Sequence, residues 1–208
     1  MAASSCGPDS IKLYKTAVEG LDLKDELIVQ RRLKEAILKS SALFGVPRCL
    51  QALLPIFHSL DDDHIDTFSP RYDSLGDPEA HKARVANAQA YFDVIWTPEL
   101  AEKNRQFNLK HQKDLYVTTL CLVYEWYFAE TAILPAVETQ MSNVGALICS
   151  ACPVQAMWHT RGIIRHGGTV DEAWFAQRMS LDIAKHYGVK TGEITPVDQI
   201  PMQDNVSL

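Results

Sequence analysis

The sequence predicts an all-α protein, and three observations carry that expectation. Apolar residues recur at helical spacing in long segments; in KDELIVQRRLKEAILKSSALF, Leu27, Ile28, Leu33, Ile37, Leu38 and Leu43 are set among charges. No alternating apolar–polar run of useful length argues for a strand. Prolines and glycines fall at the ends of the periodic stretches, where helices start and stop.

The first clear helix is predicted over residues 24–44 and ends at Gly45. A second, strongly apolar helix, VPRCLQALLPIFHSL, starts around Pro47, and Pro55 inside it predicts a kink. The acidic, turn-rich segment DDDHIDTFSPRYDSLGDP reads as a loop, with Asp61 to Asp63 solvated. Residues 79–96 form an amphipathic helix, and Pro98 is placed to start another. In QKDLYVTTLCLVYEWYFAE, residues 112–130, β-branched residues blur the period, but the length predicts a buried helix. A helix over about 134–150 follows. Pro153 then opens the helix that carries His159, and Gly167-Gly168 closes it. Thr169 with Glu172 three residues on is a capping box for a last helix that runs to about Tyr187, before Gly188.

The expected organisation is a flexible N-terminus over 1–10, a single domain over 11–188 and a loose tail over 189–208. A weak internal echo links SALFGVPRCLQALLPI with ALICSACPVQAMWHTRG. Aligning Pro47 with Pro153 sets Leu53 opposite His159, and predicts two repeats of about 24–60 and 112–188.

Composition narrows the class. Of 208 residues, 47% are apolar and 22% charged, which excludes disorder over most of the chain. A net charge of -6 excludes nucleic acid as the expected partner and supplies no polybasic segment for a membrane surface. No run approaches the roughly 18 to 20 apolar residues of a membrane-spanning helix. MAASSCGPDS lacks the charged and apolar regions of a secretory signal, and QDNVSL is not the S-K-L peroxisomal address. Five scattered cysteines, an odd number, point to a reducing compartment, and the expected location is cytoplasmic.

The chemistry concentrates in CPVQAMWHTRGIIRHGGTVDE, from Cys152 to Glu172. On a helix from Pro153, the positions of Cys152, Ala156, His159, Ile163 and His166 share one face. An imidazole on such a small, apolar face can titrate near neutrality and move protons; the alternative is a core histidine bonded to a carbonyl. Arg161 is a candidate to hold a substrate carboxylate bidentately, whereas Arg165 reads as a surface or subunit contact. Cys149 and Cys152 share a helical face, and Cys152 at a helix N-terminus has reason to be reactive; both also fit as small buried hydrophobes. Trp158, Trp126, Tyr124 and Tyr127 either line an aromatic pocket or form plain core, and Glu125 among them is a second candidate partner for His159. His58, His64, His81, His111, His166 and His186 are dispersed, so no metal is expected. No nucleotide motif is present, and no cofactor is expected.

The pattern P-x-Q-x-x-x-H-x-x-G-x-x-x-x-G followed by T-x-x-E is met by Pro153, Gln155, His159, Gly162, Gly167, Thr169 and Glu172. It resembles the second-half signature of the carboxymuconolactone decarboxylase-like proteins, in the superfamily that also holds the alkylhydroperoxidase D-like proteins. KEAILKSSALFGVPR, Lys34 to Arg48, is similar to the first-repeat motif of fungal-type members, so the resemblance spans roughly residues 24 to 188. The resemblance implies repeated helical hairpins, a homo-oligomer (trimer, hexamer or dimer) and acid–base chemistry on a small lactone. The peroxidase branch uses a C-x-x-C pair, a histidine four residues after the second cysteine and an upstream relay glutamate. Here the position four before His159 is Gln155, and the relay position nineteen before it is Gln140. The nearest carboxylate, Glu138, is rotated by about 200° along a helix from that position.

The leading expectation is therefore a cofactor-free decarboxylase or isomerase acting on a small lactone or polyketide-like acid. His159 would shuttle the proton, with Cys152 and Glu138 as further catalytic candidates and Arg161, Gln155 and Trp158 binding substrate. The competing expectations are a thiol peroxidase using Cys149 and Cys152, and a non-catalytic oligomeric binding protein.

Overall fold

The computed structural model describes residues 1–202 and is all-α, with no strand among them. The sequence QDNVSL lies outside the described residues. Among the described residues ten α-helices follow one another: α1 (Ser10–Val18), α2 (Leu23–Phe44), α3 (Val46–Phe57), the one-turn α4 (Pro70–Asp73), α5 (Pro78–Trp96), α6 (Pro98–His111), α7 (Lys113–Tyr116), α8 (Ala136–Ile148), α9 (Pro153–Arg165) and α10 (Val170–His186). α7 runs directly into a π-helix, Val117–Phe128.

Local chemistry sets the boundaries. Asp22 caps α2 by accepting from the Asp25 amide at 3.0 Å, and Gly45 ends it at φ 89°. Asp77 caps α5 ahead of Pro78. Thr169 and Glu172 form the capping box at the start of α10. Thr97, at φ 69°, lets α6 turn sharply off the end of α5. Ala151, at φ 56°, does the same between α8 and α9.

α8 packs along both α9 and α10, and its other side faces α2. Val144, Leu147, Ile148, Ala156, Ile163, Ala173 and Ala176 fill that three-helix core. A second, aromatic core lies between α5 and the π-helix, built on Tyr91, Phe92, Ile95, Trp96, Leu120, Tyr124 and Phe128. Each such ring or aliphatic side chain removed from water contributes about 1.5–3 kcal/mol. α5 also touches α9, so the histidine helix sits where the two cores meet.

Several expectations change. The first ten residues are not a free end: Ala2, Ala3 and Ser4 are buried, and the Arg48 guanidinium donates to the Ala3 carbonyl at 2.8 Å. Residues 189–202 are not loose either, because Val197 and Ile200 are buried and Gln177 donates to the Thr195 carbonyl at 2.8 Å. In both places a few apolar side chains find a hydrophobic surface, and that suffices to order the chain. The loop at 61–78 contains α4 and a buried carboxylate, Asp66, which takes a two-pronged bond from Arg31. Pro55 falls in the last turn of α3, which ends at Phe57.

The segment 112–130 is helical as expected, but it is not buried throughout: Leu115, Val117 and Leu122 are exposed, burial is confined to Leu120, Tyr124, Glu125, Phe128 and Ala129, and much of the segment is wound as a π-helix. There the amide of Ala129 bonds the Tyr124 carbonyl five residues back, at 2.9 Å, so the turn is wider than an α turn. Glu125 is buried in this stretch, beside Cys121, whose thiol is pushed up by burial first and by the Glu125 carboxylate second.

Candidate functional site

Between α5, α6, the π-helix and α9 a cavity of about 610 Å³ opens, and His159 is part of its wall. Phe92, Ile95 and Trp96 come from α5, Asn104, Phe107 and Asn108 from α6, and Gln155 and Trp158 from α9. The π-helix contributes Thr118, Thr119, Val123, Tyr124 and Phe128. None of the residues lining it carries a formal charge at neutral pH when His159 is neutral. The walls are aromatic, with a small set of amide and hydroxyl groups: the composition of a small-molecule site for an uncharged, mostly apolar body.

The wide π turn has a direct effect here. It places Tyr124 and Phe128 on the cavity wall, with their rings edge-to-face at 5.2 Å. Phe128 in turn meets the His159 ring edge-on at 5.9 Å. Trp158 packs on Trp96 at 4.7 Å, and its indole Nε1–H has no acceptor among the described residues.

His159 is positioned by the α8–α9 hairpin. Its Nδ1 lies 2.7 Å from Oε1 of Gln140, on α8. Gln140 is fully buried, and its Nε2 donates to the Tyr91 hydroxyl at 2.9 Å. Tyr91 reaches on to the Ala136 carbonyl at 3.4 Å and stacks on His166 at 4.3 Å. The approach of α8 to α9 depends on Gly162: a Cβ there would lie 2.8 Å from Gln140 Oε1. The glycine of the histidine motif therefore makes room for the amide that orients the imidazole.

Burial holds the His159 pKa down to about 4, and repulsion from His166 adds to it. His166 is held down to about 4 by burial as well. Burial pushes the Tyr91 and Tyr124 hydroxyls upward, so both keep their protons. At neutral pH the site thus consists of neutral hydrogen-bonding groups. With Nδ1 engaged by Gln140, Nε2 is the nitrogen left for the cavity. The arrangement can accept a hydrogen bond or a proton from a bound molecule there.

The structure sorts the other candidates. Gln155 and Trp158 share the cavity with His159. Arg161 does not: it is only 1% exposed, and it reaches the Pro201 carbonyl at 3.4 Å. Arg165, expected as a surface or subunit contact, bonds the carbonyls of Ile95 and Met202 at 2.6 and 3.1 Å. Both guanidiniums are thus tied to main-chain carbonyls and leave no cation in the His159 cavity. Glu138 points away from His159 and is ion-paired with Arg32 at 2.7 Å. Cys152 caps α9 with its thiol toward the Ser150 carbonyl, and Cys149 is turned toward the Ser180 carbonyl. Those thiols pack into two different hydrophobic clusters. Among the described residues no cluster of three or more histidines, cysteines or carboxylates could hold a metal ion.

Sequence reasoning missed Tyr91, Asn104, Asn108, Thr118 and Thr119. Nothing in their spacing from His159 marks them, because tertiary packing alone brings Asn104, Asn108, Thr118 and Thr119 to the cavity and Tyr91 to Gln140. Gln140 was visible only as a departure from a family pattern.

The chain is 24% identical over 192 residues to Peroxisomal protein 2 of Schizosaccharomyces pombe, an alignment that covers 91% of this chain and 85% of that protein. No family model matches the sequence. No solved structure matches it. No helix among the described residues is long and apolar enough to cross a membrane.

Proposed function

We propose that this protein is a cofactor-free acid–base enzyme of the decarboxylase or isomerase type, acting on a small lactone or polyketide-like molecule in the His159 cavity. The observation that supports it most is the neutral imidazole in the wall of an aromatic cavity, oriented by a buried amide. A base in such a place abstracts a proton from an activated C–H or O–H and returns it to another atom of the same substrate. The uncharged lining favours the isomerase form of this reading, with a neutral substrate or one whose carboxylate remains outside the cavity. Gln155 and the Thr118 and Thr119 hydroxyls are available to a substrate's polar edge.

The test is a panel of lactones and cyclic β-dicarbonyls, assayed with wild type and His159→Ala. Loss of turnover in the variant, with helicity and assembly retained, supports the assignment. Equal turnover by both proteins sinks it.

A second reading, a binding protein without turnover, is favoured by the neutral Gln140 beside His159, which cannot take up a proton. It predicts stoichiometric binding of a panel member that is recovered unchanged. Self-association belongs to either reading; Phe175 and Met179 are exposed on α10, and light scattering gives the number of copies. The five unpaired cysteines fit a reducing compartment, for which the cytoplasm is the proposal. The name of the relative adds the peroxisome as the place to look. A fluorescent fusion at the N-terminus, with the native C-terminus intact, separates diffuse from punctate signal.

A further inference from the structure

A second pocket, of about 320 Å³, lies on the first hairpin, away from His159. Its walls are apolar and aromatic: Leu38, Leu53, Phe57, Phe68, Tyr72 and Ile133. Its polar side is ionic. Three cations, Arg31, Lys34 and Arg71, line it against two carboxylates, Glu35 and Asp66, which leaves one positive charge in excess. Fully buried Lys39 lies 3.8 Å from Glu35 and adds another.

Each carboxylate is already committed. Asp66 takes a two-pronged bond from Arg31, and Glu35 takes one from Arg71 while also facing Lys39. Lys34 is the cation left over. Its ammonium donates to two neutral acceptors, Gln30 Oε1 at 3.0 Å and the Asp66 main-chain carbonyl at 2.7 Å. Burial lowers its pKa, and the nearby Arg31 lowers it further against the attraction of Asp66. Desolvated positive charge in surplus, beside an open apolar hollow, is complementary to an anion that carries a hydrophobic body.

The weak sequence echo between the two hairpins gives a contrast. Aligning Pro47 with Pro153 sets Leu53 opposite His159 and Lys34 opposite Gln140. The second hairpin presents a neutral imidazole to its cavity with the Gln140 amide behind it, whereas the first presents an apolar side chain and an ammonium to its pocket.

We propose that this pocket binds an amphipathic organic monoanion, a carboxylate head held at Lys34 with an apolar chain or ring among Leu53, Phe57 and Phe68. The site is separate from the His159 cavity and does not depend on the function proposed for it.

The experiment is calorimetric titration of the full-length protein with octanoate, octanamide and inorganic phosphate. Octanoate is expected to bind one to one, and octanamide about tenfold or more weakly, because only the charged head gains the charge-assisted bond. Phosphate alone, lacking the apolar body, is expected to bind more weakly than octanoate. Lys34→Met should erase the preference for octanoate over octanamide, and His159→Ala should leave it intact. In wild type, octanoate should shift the ring resonances of Phe57 and Phe68, a readout that needs no variant. The proposal is overturned if octanamide binds as tightly as octanoate, if phosphate matches octanoate, or if His159→Ala rather than Lys34→Met removes octanoate binding.

Discussion

Gln140 Oε1 accepts a hydrogen bond from His159 Nδ1 at 2.7 Å. An amide oxygen only accepts, so the imidazole carries its proton on Nδ1 and its lone pair on Nε2. The same amide donates to Tyr91, so its two ends are both committed and the ring is fixed in one tautomer. A carboxylate at this place would stabilise an imidazolium; the amide does not.

Replacing Gln140 by Glu supplies that charge. The His159 pKa, held near 4, should rise by about one to three pH units, the usual effect of an adjacent opposite charge. A pH titration of the ring resonances by NMR measures it. An unchanged midpoint would show that burial alone governs the ring.

Gly162→Ala forces a Cβ to 2.8 Å from Gln140 Oε1. That oxygen belongs to a side chain pinned by both His159 and Tyr91, so it has no easy retreat. The expected loss is about 1–3 kcal/mol of stability, the usual cost of overpacking. The His159 ring should lose its single tautomer as well. Urea unfolding and ring nitrogen shifts report the two effects, and a variant as stable as wild type with an unaltered ring refutes the account.

Stability should fall with acid in a defined window. His159 and His166 are both held near 4 in the folded chain, against an ordinary value of 6.5. The unfolded chain therefore takes up protons first as pH drops. The contribution is whole above about 6.5, shrinks as pH falls from there to about 4, and is gone below that; for His159 it is on the order of 3 kcal/mol. Urea midpoints at about pH 7.5 and about pH 4.5 test the sign, and His159→Gln should show a smaller drop than wild type. Equal drops would remove His159 from the explanation.

Peroxide should not join Cys149 to Cys152. The Cys149 thiol turns to the Ser180 carbonyl on α10, whereas the Cys152 thiol stays with the Ser150 carbonyl in the turn before α9. Mass spectrometry after peroxide treatment is expected to show no bridged peptide, and a clean loss of two protons at this pair would revive the thiol peroxidase reading.

The helices were legible because their signals are local. Gly45, Pro98, Thr169 and Glu172 announce ends through chemistry confined to one turn, whereas the Asp22 cap went unread. His159 stood out for the same reason, as an imidazole on an apolar helical face bounded by Pro153 and glycines. What could not be read is what lies across from it. Arg161 looked available for substrate, but periodicity does not tell a cation in the wall of a cavity from one bound to the Pro201 carbonyl. The ordered ends were misread because Ala2, Val197 and Ile200 are too few to form a pattern, yet each is buried. Composition likewise disguised Lys39, a charged residue on an amphipathic helix that proves fully buried, its ammonium bonding the Thr139 hydroxyl at 2.7 Å.

The π-helix at Val117–Phe128 makes the aromatic wall a matter of winding as much as of composition. An α turn spans the same circuit with fewer residues, so excising a single position from this stretch would let it rewind without breaking. Side chains inside the rewound stretch would then move around the axis relative to its flanks, shifting Tyr124 and Phe128 on the cavity wall while leaving the rings themselves unaltered. A one-residue deletion can therefore change which molecule fits, where substitutions of the same aromatics would only trim the space.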